Sequence, residues 1–287
     1  CRGASIDAVV ALTEGSVLPA AEARAALGVP GMDVATALRC HDKVAMKEAA
    51  RAGGVACTDW HAVEEGVDAA AVVDALGLPL YVKERRLSGS RGMVLAVDAP
   101  AARAALRPGT IAERFVHGTE MSVEAFVADG RVIFANPTEY LVLAFANLAP
   151  GSLAPAVRAA VEDLTGRAVT ALGLARGLAH VEMFLTPAGP VFGEIAVRPP
   201  GGRIMRLLKA VYRFDPWEAV IRLELGETPA LPRTPRCFAG VWMLHPGAGV
   251  VDAVDGLAAA RAVPGVRHVG CRARPGARIP ERAGTGQ

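Results

Sequence analysis

The sequence predicts an α+β fold built on antiparallel sheets. Three observations carry that reading. Short apolar runs with period-two alternation come in neighbouring pairs joined by turn residues: a Ser/Gly-rich turn near 88–92, Asp129-Gly130, and a Pro-Ala-Gly turn at 187–189. Ala-rich helical stretches lie between these pairs rather than inside them. Only the start of the chain reads as a strand followed directly by a helix, like the tail of a Rossmann-type domain.

In order, residues 5–12 (SIDAVVAL) read as a buried strand and 19–28 as a helix with Pro near its start and Gly at its stop. Residues 41–52 form a helix with Lys43 and Lys47 one turn apart on one face. Residues 68–77 are helical and end at Gly77. The stretch LPLYVKERRLSGSRGMVLAVD gives strand, turn and strand, and 99–106 a short helix. TIAERFVHGTEMSVEAFVADGRVIFA gives three strands, the last two joined by the Asp-Gly turn. A long helix over about 153–172 precedes the hairpin HVEMFLTPAGPVFGEIAVRP, and helices near 203–211 and over 215–226 follow it. The remainder reads as strands and turns. The expected division is 1–40, 41–113 and 114–287.

The chain has 287 residues, 52% of them hydrophobic, which allows a large core and two or three subdomains. A net charge of +2 and 5% aromatic residues give no basic stripe with interleaved aromatics, so no nucleic-acid partner is expected. No apolar run reaches membrane-spanning length. The five cysteines form no CxxC pair and read as reduced thiols of a cytoplasmic protein. Cys1 stands where a Met would start a chain, which points to a natural chain that begins earlier. Only four of the 31 basic residues are lysines (Lys43, Lys47, Lys83, Lys209). In so Arg-rich a chain, a retained lysine suggests that a compact point charge is required.

The hairpin places Glu182 and Glu194 on an otherwise apolar background. A three-residue turn sets Thr186 opposite Pro190, Phe184 opposite Phe192 and Glu182 opposite Glu194. A two- or four-residue loop would break that opposition. Directly opposed like charges are destabilising, so a cation between them is expected. A divalent ion with oxygen ligands meets that need, and Arg198 offers another neutralising charge. A solvated sheet face is the plain alternative. Lys83 precedes Ser88-Gly89-Ser90-Arg91-Gly92, where small residues let backbone N–H groups approach phosphate oxygens. No P-loop, GxGxxG, GxSxG or HExxH motif occurs. Glu113, Glu120 and Glu124 lie on or beside apolar strands and could meet ribose hydroxyls. His180, in phase with Glu182, reads as a ligand, a neighbour of one, or a core histidine.

Taken in order, these pieces resemble the ATP-grasp superfamily, in its carboxylate–amine (L-amino-acid) ligase branch. The matching stretches are Asp42-Lys43 with Lys47, LGLPLYVKERRLSGSRG, IAERFVHGTEMSVEAFVADG, ALGLARGLAHVEMF and GEIAVRPPGGRI, over nearly all of residues 5–225. The resemblance implies two α/β subdomains whose antiparallel sheets clamp ATP, after a partial Rossmann-like domain. It implies that Lys43 and Lys83 meet the nucleotide phosphates. Ser88, Gly89, Ser90 and Gly92 would cover them, and Glu113, Arg114, Phe115 and Val116 would form the adenine hinge. Glu120 would bind ribose, Glu182 and Glu194 would hold Mg²⁺ (or Mn²⁺), and Arg198 with Lys83 would act on the transferred phosphoryl group. Many members carry Asn two residues after the second metal glutamate, where this chain has Ala196. The implied partners are a small carboxylate and an amine, with a homodimer as one option for assembly. A biotin-carboxylase-like or purine-pathway carboxylase and a non-catalytic nucleotide-binding module are the other readings.

Overall fold

The computed structural model describes residues 5–89, 91–142 and 145–281. Residues 5–12 form no strand; their exposure varies, and no strand among the described residues pairs with them. The expected N-terminal βα unit is therefore a helix approached by extended chain. That helix, α1 (Glu14–Leu27), starts earlier than predicted because Thr13 and Ser16 form a reciprocal cap. Pro19 sits inside it, in a turn where both Pro19 and Gly15 are exposed. Helix α2 (Val34–His41), absent from the sequence reading, ends where α3 (Lys43–Ala52) begins. His41 therefore closes one helix instead of opening the next.

A four-stranded antiparallel sheet follows, in the order β1-β4-β2-β3: β1 Trp60–Val63, β2 Leu80–Glu84, β3 Val94–Ala96 and β4 Thr110–Arg114. Helices α4 (Ala69–Leu76) and α5 (Ala99–Ala105) cover it around Val72, Leu80, Val82 and Ala102. The second sheet has six strands in the order β10-β7-β6-β5-β8-β9. These are β5 Thr119–Ala128, β6 Arg131–Val142, β7 Ala146–Ala149, β8 Gly177–Thr186, β9 Gly189–Ala196 and β10 Ala239–Trp242. The β5–β6 turn is the Asp-Gly turn predicted, with φ of 50° at Asp129 and 72° at Gly130. Helix α6 (Pro155–Leu172) packs with α3 on one face through Val161, Leu164, Ala168 and Met46. Helices α7 (Ile204–Tyr212) and α8 (Pro216–Glu224) cover part of the other through Leu208, Val211 and Leu223. The last described residues add a small β11–β12 pair (Gly249–Val250, Arg278–Ile279) and α9 (Leu257–Ala262).

Asp42 joins the helical start to the small sheet. Its carboxylate accepts from the Val44 and Ala45 N–H groups at the head of α3, from Arg85 Nε and Nη2 at 3.1 Å, and from Arg86 Nε at 3.1 Å. Burial raises the Asp42 pKa, but the two guanidinium partners outweigh it and hold the group below its ordinary value. A depressed folded-state pKa gives stability that is present above the unfolded value and is lost as pH falls through the folded one. Asp42→Asn is expected to cost about 1–2 kcal/mol at neutral pH. In urea titrations that deficit should begin to narrow below about pH 4 and close as pH falls through the lowered folded-state value.

Candidate active site

The large sheet turns a row of polar side chains to one face. Alternation sends Glu120, Ser122 and Glu124 of β5 one way and Met121, Val123 and Ala125 into the core. Register aligns Ser122 with Glu182 and Thr138, and Glu124 with His180 and Asn136. Glu124 is fully buried and satisfied there, accepting from Ser122 Oγ at 2.8 Å, Asn136 Nδ2 at 3.2 Å and Thr138 Oγ1. It is a core anchor, out of reach of a ribose. His180 bridges it to the site: Nδ1 lies 2.9 Å from Glu124 Oε1 and Nε2 3.3 Å from Glu182 Oε1. Burial disfavours the imidazolium, yet the two carboxylates raise the His180 pKa to about 9.

Glu182 faces Glu194 directly, as expected, but by a different route. The loop holds only Pro187 and Ala188, so Thr186 pairs with Gly189 and Phe184 with Val191, not with Pro190 and Phe192. In a regular ladder that loop would turn Glu194 away. A β-bulge at Gly193 inserts one residue and restores the phase. A Cβ at Gly193 would lie 3.1 Å from the Glu182 carbonyl oxygen and 3.3 Å from the Phe184 ring, so glycine suits the bulge. The bulge carbonyl accepts from Lys47 Nζ at 3.1 Å, and Lys47 is fully buried.

Three of the four lysines converge here. Lys83 Nζ lies 3.1 Å and Lys47 Nζ 3.5 Å from Glu113 Oε2, while Lys43 Nζ lies 3.5 Å from Glu194 Oε2 and donates to the Leu87 carbonyl at 2.6 Å. Lys209 stands apart, on exposed α7 surface beside Asp215. Burial works against each charge. For Glu113 the Lys47 and Lys83 charges win and its pKa falls; for Lys83 the Glu113 and Glu194 charges win and its pKa rises. For Lys47 burial prevails and its pKa falls. Burial raises Glu182, but His180 pulls it below the ordinary value; burial and the Glu182 charge push Glu194 above it. Burial and the Glu182 charge also raise Glu120 to about 7.

These groups surround a cavity of about 330 Å³ between the two sheets. Of the residues expected from sequence, Lys43, Lys83, Ser88, Gly89, Glu113, Arg114, Val116, Glu120, Glu182, Glu194 and Arg198 line it. Gly92 and Phe115 do not; Phe115 stacks on Tyr81, its ring 5.6 Å away. Ser90 lies outside the described residues. In the expected hinge, the N–H groups of Arg114 and Phe115 already donate to Asp59 and Pro79 carbonyls, while the Val116 N–H has no partner among the described residues. The Glu113 carboxylate is taken up by lysines. Sequence reasoning missed Tyr81, Arg91, Tyr140, Asn147, Ile204 and Met243, which also line the cavity. The spacing of Lys47 from Lys43 puts both on one helix face but does not show that Lys47 reaches Glu113.

The two opposed carboxylates fit a magnesium ion. They are hard oxygen donors, 35% and 24% exposed at the cavity wall, and they face each other across the hairpin. Among the described residues no set of three or more His, Cys, Asp or Glu side chains is arranged to hold a metal. A cation here would complete its shell with phosphate and water oxygens, as Mg²⁺ commonly does. Ala196 also lines the cavity and presents only a methyl group, so it adds no oxygen ligand.

Comparison with known proteins gives the family. The ATP-grasp domain profile matches residues 48–202, more than half of the chain. The chain belongs to the ATP-grasp family. Residues 242–284 match L-amino acid ligase C-terminal domain 2. The chain is 27% identical over 248 residues to an L-arginine-specific L-amino acid ligase of Bacillus subtilis, covering 80% of this chain and 60% of that protein. It is 34% identical over 158 residues to carnosine synthase 1 of Gallus gallus, covering 50% of this chain and 17% of that protein. The crystal structure of an L-amino acid ligase from Bacillus licheniformis superposes with a TM-score of 0.80 at 24% identity, covering 97% of this chain and 73% of that one. This ATP-grasp chain thus spans about 60% of the length of the Bacillus subtilis ligase. No helix among its described residues is long and apolar enough to cross a membrane.

Proposed function

We propose that this ATP-grasp chain carries the active site of a cytoplasmic ATP-dependent carboxylate–amine ligase, acting on small acids and amines and releasing ADP and phosphate. The observation that carries this reading is the opposed Glu182–Glu194 pair in one cavity with Lys43, Lys83 and Arg198. Glu182 and Glu194 would hold Mg²⁺, which supplies charge neutralisation on the nucleotide phosphates. Lys43 and Lys83 add fixed positive charge, and the Ser88-Gly89 hairpin covers the phosphates and excludes water. Val116, whose N–H has no partner among the described residues, would offer it to adenine, and Glu120, on the cavity wall, would meet the ribose. A substrate carboxylate oxygen bonds to the γ-phosphorus as the bond to ADP breaks, giving an acyl phosphate. The amine nitrogen then bonds to the acyl carbon, phosphate leaves, and the nitrogen loses a proton. Arg198 stabilises charge on the transferred phosphoryl group.

The test is phosphate release from MgATP with pairs of L-amino acids, L-arginine among them because a relative bears its name. Release that requires both an acid and an amine, with a dipeptide or amide found by mass spectrometry, is the expected result. Release driven by bicarbonate alone, or no release with any pair, contradicts the reading.

A further inference from the structure

We propose that Glu14 is a positioning residue that fixes the Arg198 guanidinium in the active-site cavity, so that the segment ahead of the matched ATP-grasp residues completes the site. The inference rests on the ligase reading of Arg198. Arg198 Nε donates to Glu14 Oε2 at 2.9 Å, and Arg198 Nη1 donates to the Pro199 carbonyl at 3.0 Å. Nη2 has no partner among the described residues, and Arg198 lines the cavity. Glu14 is not among the lining residues, so it holds the guanidinium from behind. Its second oxygen, Oε1, lies 3.0 Å from His41 Nδ1 at the end of α2. The carboxylate is thereby fixed from two sides and fixes the arginine in turn.

The support behind Glu14 is firm. It is the first residue of α1, whose start is set by the Thr13–Ser16 cap. The far end of α1 is tied down by Arg24, 4% exposed, which donates to the Val9 carbonyl at 2.9 and 2.6 Å and to Glu224 Oε2 of α8 at 2.7 Å. Val17, Ala20 and Ala21 pack into the main core between these ends. Arg198 lacks such support of its own: it follows the end of β9, in a run of bends and prolines. A long arginine side chain on irregular backbone has many rotamers, and a guanidinium stabilises a transition state best when its orientation is set beforehand. Loss of the tether should therefore lower the rate of the chemical step and leave nucleotide binding unchanged.

The experiment is a double-mutant cycle on phosphate release, using MgATP and the amino-acid pair that gives the highest release with the parent chain. Glu14→Gln keeps the size of a partly exposed side chain, and a thermal melt checks that it folds. The expected result is a fall in kcat of about 10-fold with KM for ATP changed less than about twofold. In an Arg198→Met background, which leaves Glu14 no cation to hold, Glu14→Gln should change nothing further. Unchanged activity, increased activity, or the same fall in both backgrounds would overturn the proposal. A second measurement does not depend on turnover: the Arg198 Nε–H resonance, followed by ¹⁵N–¹H NMR, should exchange slowly in the parent and quickly in Glu14→Gln. Equal exchange overturns the tether even if the parent releases no phosphate, whereas absent release alone refutes the ligase reading.

Discussion

Glu194→Gln is expected to lower the rate of amide formation by about 10²–10³-fold while leaving the folded chain at least as stable as the parent. The two effects have one cause. Glu194 faces Glu182 across the hairpin, and burial together with that neighbouring charge pushes its pKa up. An acid whose folded-state pKa is raised opposes folding at neutral pH, and the opposition is relieved as pH falls and the group protonates. A neutral isostere removes it at every pH, although Lys43 loses the charge of a partner at 3.5 Å and, among the described residues, keeps the Leu87 carbonyl. Activity moves the other way because, under the proposed function, the same carboxylate would hold the nucleotide's metal. Steady-state kinetics and a thermal melt on one preparation check both halves. A variant that loses stability along with activity would mark Glu194 as a structural group.

Glu113→Gln should do the reverse and destabilise the fold by about 3–5 kcal/mol. Glu113 is 4% exposed and stands between Lys47, which is fully buried, and Lys83. An amide in its place leaves the Lys47 ammonium with the Gly193 carbonyl as its hydrogen-bond acceptor but without the carboxylate 3.5 Å away. Breaking a buried ion pair on one side costs more than removing the whole pair. Adding Lys47→Met to Glu113→Gln should therefore recover much of the lost stability. Urea denaturation of the two single variants and the double variant measures this. Full additivity would show that Glu113 and Lys47 do not depend on each other.

The contrast between these two glutamates shows what the sequence could and could not convey. Glu182 and Glu194 were legible because acids on apolar strands are unusual, and two of them near one turn fall on one face. The path to their opposition was not legible. The loop is a residue shorter than expected, and the bulge that compensates leaves only one trace in the sequence, Gly193. Glu113 belongs to a strand that pattern placed correctly, yet pattern did not tell that its carboxylate meets lysines from α3 and β2 while the adjacent backbone faces the cavity. Lysine scarcity was the more telling signal, since Lys43, Lys47 and Lys83 all reach this cluster.

Most helices and hairpins were legible because their periodicity is strong and their stops are Gly or Asp-Gly. Helix α2 was not, since eight residues between Asp33 and Asp42 offer little more than two turns of pattern. The strand expected at 5–12 failed for the opposite reason: an apolar run forms a strand only where a partner strand exists. Asn147 on β7 and Met243 just after β10 are brought to the cavity by the β7–β10 pairing, which joins distant parts of the sequence, and nothing local marks them. Glu14 is similar. Its contact with Arg198 spans 184 positions, and such a pairing becomes visible only once the chain is folded.

The most direct test is a crystal of the chain grown with Mn²⁺ and a non-hydrolysable ATP analogue, with the anomalous signal of manganese located. The expected result is a peak about 2.1 Å from carboxylate oxygens of both Glu182 and Glu194, with analogue phosphate oxygens completing the shell and Lys43 and Lys83 beside them. Manganese bound away from both glutamates, or an analogue bound outside this cavity, would contradict the account.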